Sequence, residues 1–194
     1  MLRIVPYCHP ALRYESRPVA RIDDALRAQV REMFGLMYAS KGIGLAANQV
    51  ALPYRLFILN TAADAEKPEL EMVYVNPEII KRHGQIEDEE GCLSFPGLYA
   101  DVKRAKKVKV RYYDLDGVEH VDDAEDLVSR AVQHEGDHLA GKLFIDHLGP
   151  ATLKAVGPKL KGFEDAFRKA QAEGEYPEDA EILRRLDALR DAQG

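Results

Sequence analysis

The chain has 194 residues, with 27 Lys and Arg against 33 Asp and Glu, a formal net charge of −6 and a pI of about 5.6. That length suits one domain with a real core, and the acidic balance argues against broad nucleic-acid binding, DNA included. Apolar residues at 46% and charged residues at 31% exclude disordered, collagen-like and coiled-coil chains, and no apolar run approaches the roughly 20 residues of a membrane helix. The opening MLRIVPYCHP lacks the charged and long apolar regions of a secretory signal, so a cytoplasmic location and no membrane partner are expected.

Residues 23–41 read as a helix, capped by Asp23, with Leu26, Val30, Met33 and Met37 at helical spacing and Gly42 just past its end. KGIGLAANQV follows without periodicity, and then the short apolar run 55–60 suits a buried strand. Further strands are expected in EMVYVNP and near Ile79 to Ile86. From Lys106 the alternation is plain: Val108, Val110 and Tyr112 face one way, Lys107, Lys109 and Arg111 the other, and Asp116-Gly117 offers a hairpin turn. Helical signals return near Asp123. There Leu127, Ala131, His134 and His138 form one stripe expected to face the core, with Gly141 as a stop. After Pro150 a polar helix is expected to about residue 172; EGEYPEDAE breaks it before a last charged helical stretch. Hairpin connections between strands, without regular strand–helix alternation, favour an α+β fold with antiparallel or mixed sheets over a doubly wound one.

The strongest chemical signal is Gln133-His134-Glu135-Gly136-Asp137-His138, an HExxH pattern. Residues four apart on a helix share a face, so His134 and His138 can both offer a ring nitrogen to one metal ion while Glu135 turns toward a coordinated water. The bland alternative is a pair of hydrogen-bonded core histidines, but two imidazoles on an inward stripe are costly to bury unpaired. A catalytic site normally has a third protein ligand. A metzincin-like His would stand where Phe144 is, His147 comes three residues late, and Glu164 is the nearest thermolysin-like candidate. Upstream, Glu90-Gly91-Cys92-Leu93-Ser94 puts a thiol in a Gly-containing turn, and a thiolate suits zinc or ferrous iron. Two cysteines, Cys8 and Cys92, are too few to staple a fold of this size. Cys8 and its neighbour His9 are assigned no role beyond covering the core.

Three separated segments, GIGLAANQ at 42–49, EGCLS at 90–94 and QHEGDHLAG at 133–141, resemble the three motifs of the peptide deformylase family. The opening PYCHPALRYESRPV and the KRAKKVKV strand are also similar, so the likeness runs from about residue 3 to 170. It implies an α+β metallohydrolase whose sheets pack around a central HExxH helix, with a C-terminal helix beyond. The implied activity is removal of the N-terminal formyl group from formylmethionyl nascent polypeptides, with release of formate. By motif position the resemblance makes Cys92, His134 and His138 the metal ligands, Glu135 the general acid/base, and Gln49 with the Leu93 backbone N–H the oxyanion donors. It also implies one divalent cation, ferrous iron in the cell; zinc, nickel and cobalt suit the same donors. Main-chain pairing of an extended substrate is expected around Ile43, Gly44 and Gly91. A pocket for the methionine side chain is expected from Ile43, Leu127 and His134. Glu90 resembles a family residue that pairs with a basic group on a neighbouring strand, here Arg104; the plain alternative is a solvated end of the acidic run EDEE.

Six basic residues in the nine positions 103–111 suit either ribosomal RNA docking or, preferably, a solvated strand face. Some family members dock on the ribosome through a basic C-terminal helix, and transient ribosome contact is an expectation of the resemblance. Residues 173–194, however, hold seven acidic and three basic residues, so this end reads as an acidic, partly helical extension to a catalytic domain spanning 1–172. The competing readings are a metallopeptidase sharing HExxH, which the missing downstream His disfavours, and a metal-binding protein without activity.

Overall fold

The computed structural model describes residues 1–192. The Asp23 side chain caps the first helix by accepting the Leu26 N–H at 2.9 Å, and α1 (Asp24–Ala39) follows. Its Leu26, Val30, Met33 and Met37 are all buried, packing with Leu45, Leu56 and Ile58. These last come from β1 (Gly44–Ala46) and β2 (Leu56–Leu59), which pair antiparallel and open a five-stranded sheet. The sheet continues through β3 (Met72–His83), β6 (Lys107–Tyr113) and β7 (Glu119–Glu125), in the order β1-β2-β3-β6-β7, every neighbour antiparallel. A separate hairpin pairs β4 (Ile86–Gly91) with β5 (Tyr99–Arg104).

Two expectations about this region need correction. Residues 71–86 are not two short strands: β3 runs unbroken through Pro77. That is tolerated because the register against β6 shifts between Val75 and Glu78, where a missing N–H costs no ladder bond. The basic run 103–111 is not a uniformly solvated face either. Lys107 and Lys109 pair with Glu125 at 2.8 Å and Asp123 at 3.2 Å on β7, while Arg104 is 4% exposed. Val108, Val110 and Tyr112 do face inward as the alternation predicts.

The HExxH helix α2 (Asp126–Leu139) lies across the sheet, burying Ala131, Val132 and Leu139 against Phe57, Tyr74, Val108 and Val110. It starts later than expected, because residues 123–125 belong to β7 and Asp126 turns the chain with φ +48°. Leu127 therefore sits at the free end of α2 and is 49% exposed instead of facing the core. At the other end Gly141 takes φ +67°, where a Cβ would come within 2.6 Å of the Arg13 carbonyl oxygen; the stop is obligatory for glycine on both counts.

Beyond α2, α3 (Pro150–Ala172) and α4 (Asp179–Asp191) form a helical pair at the N-terminal segment. Ile182 and Leu186 of α4 are buried against Phe167 and Ala11, and the Tyr14 hydroxyl donates to Asp187 at 2.7 Å. Residues 173–192 are thus helical over α4 and packed on the body; the last two residues of the expected extension lie outside the described residues. His9 fits its bland reading, buried between the Phe167 and Tyr176 rings.

Candidate metal centre

Three elements that are distant in sequence meet beside α2. His134 and His138 stand one turn apart on its inner face, their rings T-shaped with centroids 5.0 Å apart. Cys92 follows directly on β4, in a turn closed by the Phe95 N–H donating to the Cys92 carbonyl at 2.8 Å, with Phe95 fully buried beneath as its anchor. One ligand atom from each of Cys92, His134 and His138 lies within 4.8 Å of the others, and Cys92 Sγ is 3.4 Å from His138 Nε2. The remaining third-ligand candidates go elsewhere. Glu164 is exposed on α3 beside Lys161, Phe144 is an apolar neighbour of the His134 ring, and His147 Nε2 meets Asp137 at 2.7 Å.

The donor set fits a divalent cation. Thiolate and imidazole are ligands for zinc and for ferrous iron, three is the number an open catalytic site uses, and the His134 ring is held from behind. His134 Nδ1 is 3.0 Å from Glu90 Oε2, leaving Nε2 for the cleft. The Asn48 side chain donates to the His138 carbonyl and ties that end of α2 to the loop after β1. His138 Nδ1 itself has no hydrogen-bond partner among the described residues. Burial and the neighbouring His134 hold the His138 imidazole well below its usual range, so it stays neutral, as a ligand must. Burial also opposes charge on His134, but the Cys92 sulfur and the Glu90 carboxylate on either side outweigh it and raise its pKa well above the usual value. A cation competes for that proton, so loading is coupled to proton release.

Glu135 is 4% exposed and its Oε2 is buried with no hydrogen-bond partner among the described residues. Burial pushes its carboxyl up to about 7, against the lowering effect of His134. A carboxyl poised there changes protonation at neutral pH, the property of a proton-transfer group. Gln49, in the one-turn helix Ala47–Val50, is fixed by its own loop: Oε1 accepts the Ala46 N–H at 2.8 Å, which turns Nε2 toward Cys92 Sγ and the Ser94 hydroxyl, both at 3.4 Å. Gln49 is buried, at 1% exposure, not on a solvated loop surface.

A cleft of about 630 Å³ opens over these groups, within the range of small-ligand sites. Ile43, Gly44, Gln49, Gly91, Cys92, Leu93, Leu127, His134 and Glu135 all line it, and His138 closes its floor at 1% exposure. Every site residue expected from the sequence is thereby in or under one cleft. Leu127 lines it from the exposed rim, so its part in an enclosed apolar pocket is smaller than the stripe suggested.

Glu90 is neither solvated nor limited to the one expected partner. Its carboxylate accepts from Arg104 Nε at 2.9 Å and Nη2 at 3.0 Å, and from Arg130 Nη1 at 2.7 Å, besides its contact with His134. Burial alone would raise the Glu90 carboxyl, but the His134 and Arg104 hydrogen bonds overcome this and hold it well below the usual carboxylate range. Arg104 continues to Asp137, and Asp137 to His147. Sequence reasoning missed Arg130, Asn48 and the Asp137–His147 link. For Arg130 a signal was present: it stands four residues before His134, on the inward stripe, and a buried arginine requires an anion.

Residues 1–154 match the family model described as polypeptide deformylase. The chain is 41% identical over 181 residues to the peptide deformylase of Rhodopirellula baltica, covering 93% of this chain and 90% of that one. It is 45% identical over 159 residues to that of Phenylobacterium zucineum, covering 81% and 92%. Among solved structures it is similar to a peptide deformylase from Plasmodium falciparum, with a TM-score of 0.82 at 41% identity over 88% of this chain and 98% of that one. A plant peptide deformylase gives a TM-score of 0.84 at 37% identity over 91% and 94%.

Proposed function

Because the chain belongs to the polypeptide deformylase family, enzymes that remove the formyl group from N-formylmethionyl peptides, we propose that it does so with one divalent cation on Cys92, His134 and His138 and with Glu135 moving the protons. The observation that carries this is the convergence of those three donors within 4.8 Å beside a buried carboxyl whose Oε2 is unpartnered. The proposed native ion is Fe2+, on the family likeness together with the thiolate and imidazole donors.

Cys92, His134 and His138 would hold the cation, which when bound would lower the pKa of a water at the site toward neutrality. Glu135 takes the proton released and returns it to the leaving amine, and its raised pKa suits both transfers. As the formyl carbon becomes tetrahedral, charge grows on its oxygen. Gln49 Nε2, pre-aimed by the Ala46 contact, and the Leu93 backbone N–H donate to that oxygen; losing one such donor costs about 3 kcal/mol of barrier. The formyl C–N bond breaks, leaving formate and a free amino terminus. Ile43, Gly44 and Gly91 flank the cleft as the backbone against which an extended peptide pairs, a contact indifferent to side chains and suited to many sequences. The methionine side chain rests against Ile43 and His134, with Leu127 at the rim.

No helix among the described residues is long and apolar enough to cross a membrane, in keeping with a cytoplasmic enzyme acting on nascent chains. The basic run around β6 is an unfavourable ribosome-docking face, since its lysines are neutralised by β7. Formate release from formyl-Met peptides, assayed beside peptide-bond hydrolysis and with metal analysis of anaerobically prepared protein, tests the proposal. Peptide cleavage without deformylation would overturn it.

Two further results are expected. In Gly44→Ala the new Cβ would fall 2.5 Å from Glu135 Oε1 and 2.8 Å from Leu59 Cδ2. The carboxyl must shift, and a misplacement of about 1 Å costs roughly 100-fold in rate; kcat/KM within a few-fold of the parent would contradict the placement of Glu135. If 1–172 is the catalytic unit, a chain ending at residue 172 keeps its kcat/KM. It loses the burial of Ile182 and Leu186 and uncovers Phe167 and Ala11, apolar contact worth about 3–6 kcal/mol. The thermal midpoint therefore drops while activity at low temperature does not.

A further inference from the structure

A second cleft, of about 550 Å³, lies on another face of α2, where Gln133, Gly136 and Asp137 meet β3, β5 and the loop before β2. Besides Arg104, which Glu90 and Asp137 hold, four cations line it: Arg55, Arg82, Lys103 and Lys142. None of the four has a carboxylate partner among the described residues; Arg55 donates only to the Pro77 carbonyl, at 3.3 and 3.1 Å. The acids at the cleft are already engaged, Glu78 with Arg111 and Asp137 with Arg104 and His147. On a chain of net charge −6, four uncompensated cations gathered in one concavity are a local excess that calls for an anion.

We propose that this cleft binds a small phosphorylated ligand of nucleotide size, one carrying at least two phosphates. Arginine forks and lysine ammonium groups are the side chains that hold phosphate oxygens, and two of each face the same space. The cleft volume suits a mononucleotide, and Pro77 and Ile79 supply an apolar flank beside the charges. The shape of the field favours a small ligand over RNA. An RNA track needs a continuous basic stripe, whereas the next cations along the sheet, Lys107, Lys109 and Arg111, are closed off by Glu125, Asp123 and Glu78. Of the neighbouring cations outside the lining, only Lys81 and Lys106 lack a carboxylate partner among the described residues, too few for a continuous track.

Titration calorimetry of the full-length chain with pyrophosphate and with ADP tests this. One saturable site is expected for each, weakened about tenfold or more in Arg82→Ser/Lys103→Ser. Both side chains are exposed, so the double variant should fold and keep its thermal midpoint. Binding should persist in Cys92→Ala, which separates this cleft from the metal centre, where a phosphate also has a place to go. Absence of saturable binding, equal binding by the double variant, loss of binding in Cys92→Ala, or tighter binding of an RNA octamer than of either probe would each overturn the proposal.

Discussion

Glu135→Ala is expected to abolish deformylation while the chain keeps its metal. The three ligands come from other residues, so metal content per chain should equal that of the parent. Turnover should fall by 100-fold to 10,000-fold, the contribution of a positioned general acid/base. Glu135→Gln is the sharper variant, because it keeps the volume and one acceptor but cannot carry a proton. The parent should also show an acid limb in kcat/KM. Burial places the Glu135 carboxyl at about 7 against an ordinary 4.5, and a bound cation pulls it back toward the lower value; the limb should fall between these limits and vanish in Glu135→Gln. Stability of the chelated protein runs in the opposite sense. A carboxyl whose folded pKa is raised favours the fold below pH 4.5, and that contribution is lost as pH rises through about 7. Above that, Glu135→Gln should be the more stable protein, by about 3 kcal/mol. Substantial turnover by Glu135→Gln, or a variant stripped of metal, would remove Glu135 from the role given to it.

Glu90→Ala should produce the largest loss of stability. It leaves Arg104 at 4% exposure and Arg130 at 7% without their shared carboxylate, and removing one partner of a buried ionic cluster costs about 3–5 kcal/mol. For a domain of this size that lowers the thermal midpoint by roughly 10 °C. His134 also loses the hydrogen bond that orients it, and such a loss weakens metal binding about 10-fold to 100-fold. The pH sense differs from that of Glu135. The Glu90 carboxyl is held well below its usual 4.5, so its stabilisation is complete above that value and is lost as pH falls through the depressed one. The stability gap between the parent and Glu90→Ala should thus hold from neutral pH down to about 4.5 and close only at more acid pH. A thermal midpoint and a metal dissociation constant both unchanged in Glu90→Ala would show that the network neither holds the fold nor orients His134.

How much of this was legible in advance differs from residue to residue. The Asp23 cap, the α1 stripe, the inward valines of β6 and the Gly141 stop follow from short-range periodicity and backbone sterics, and all appear where the spacing puts them. His134 and His138 share a face because a helix turn fixes it. The failures lie where a long-range partner decided the outcome. Leu127 has the right spacing to be buried, but α2 projects past the sheet there. Pro77 looks like a strand end, yet a register shift against β6 absorbs it. The expected Glu90–Arg104 pair does form, but its burial was not legible in the acidic and basic runs, because it depends on Arg130 arriving from α2 to share the carboxylate.

Sequence by itself determined the donor types, the helix that pairs two of them, and the small-residue loop that leaves room beside Glu135, since each depends on contacts within a few residues. Only the tertiary structure decided that Cys92, 46 residues before His138, reaches the same point. It alone decided that Glu135 is dry and that four cations share a cleft whose carboxylates are engaged elsewhere. Desolvation and net charge at a point are set by whatever packs around a group, and that sum over distant segments is absent from any local window of the chain.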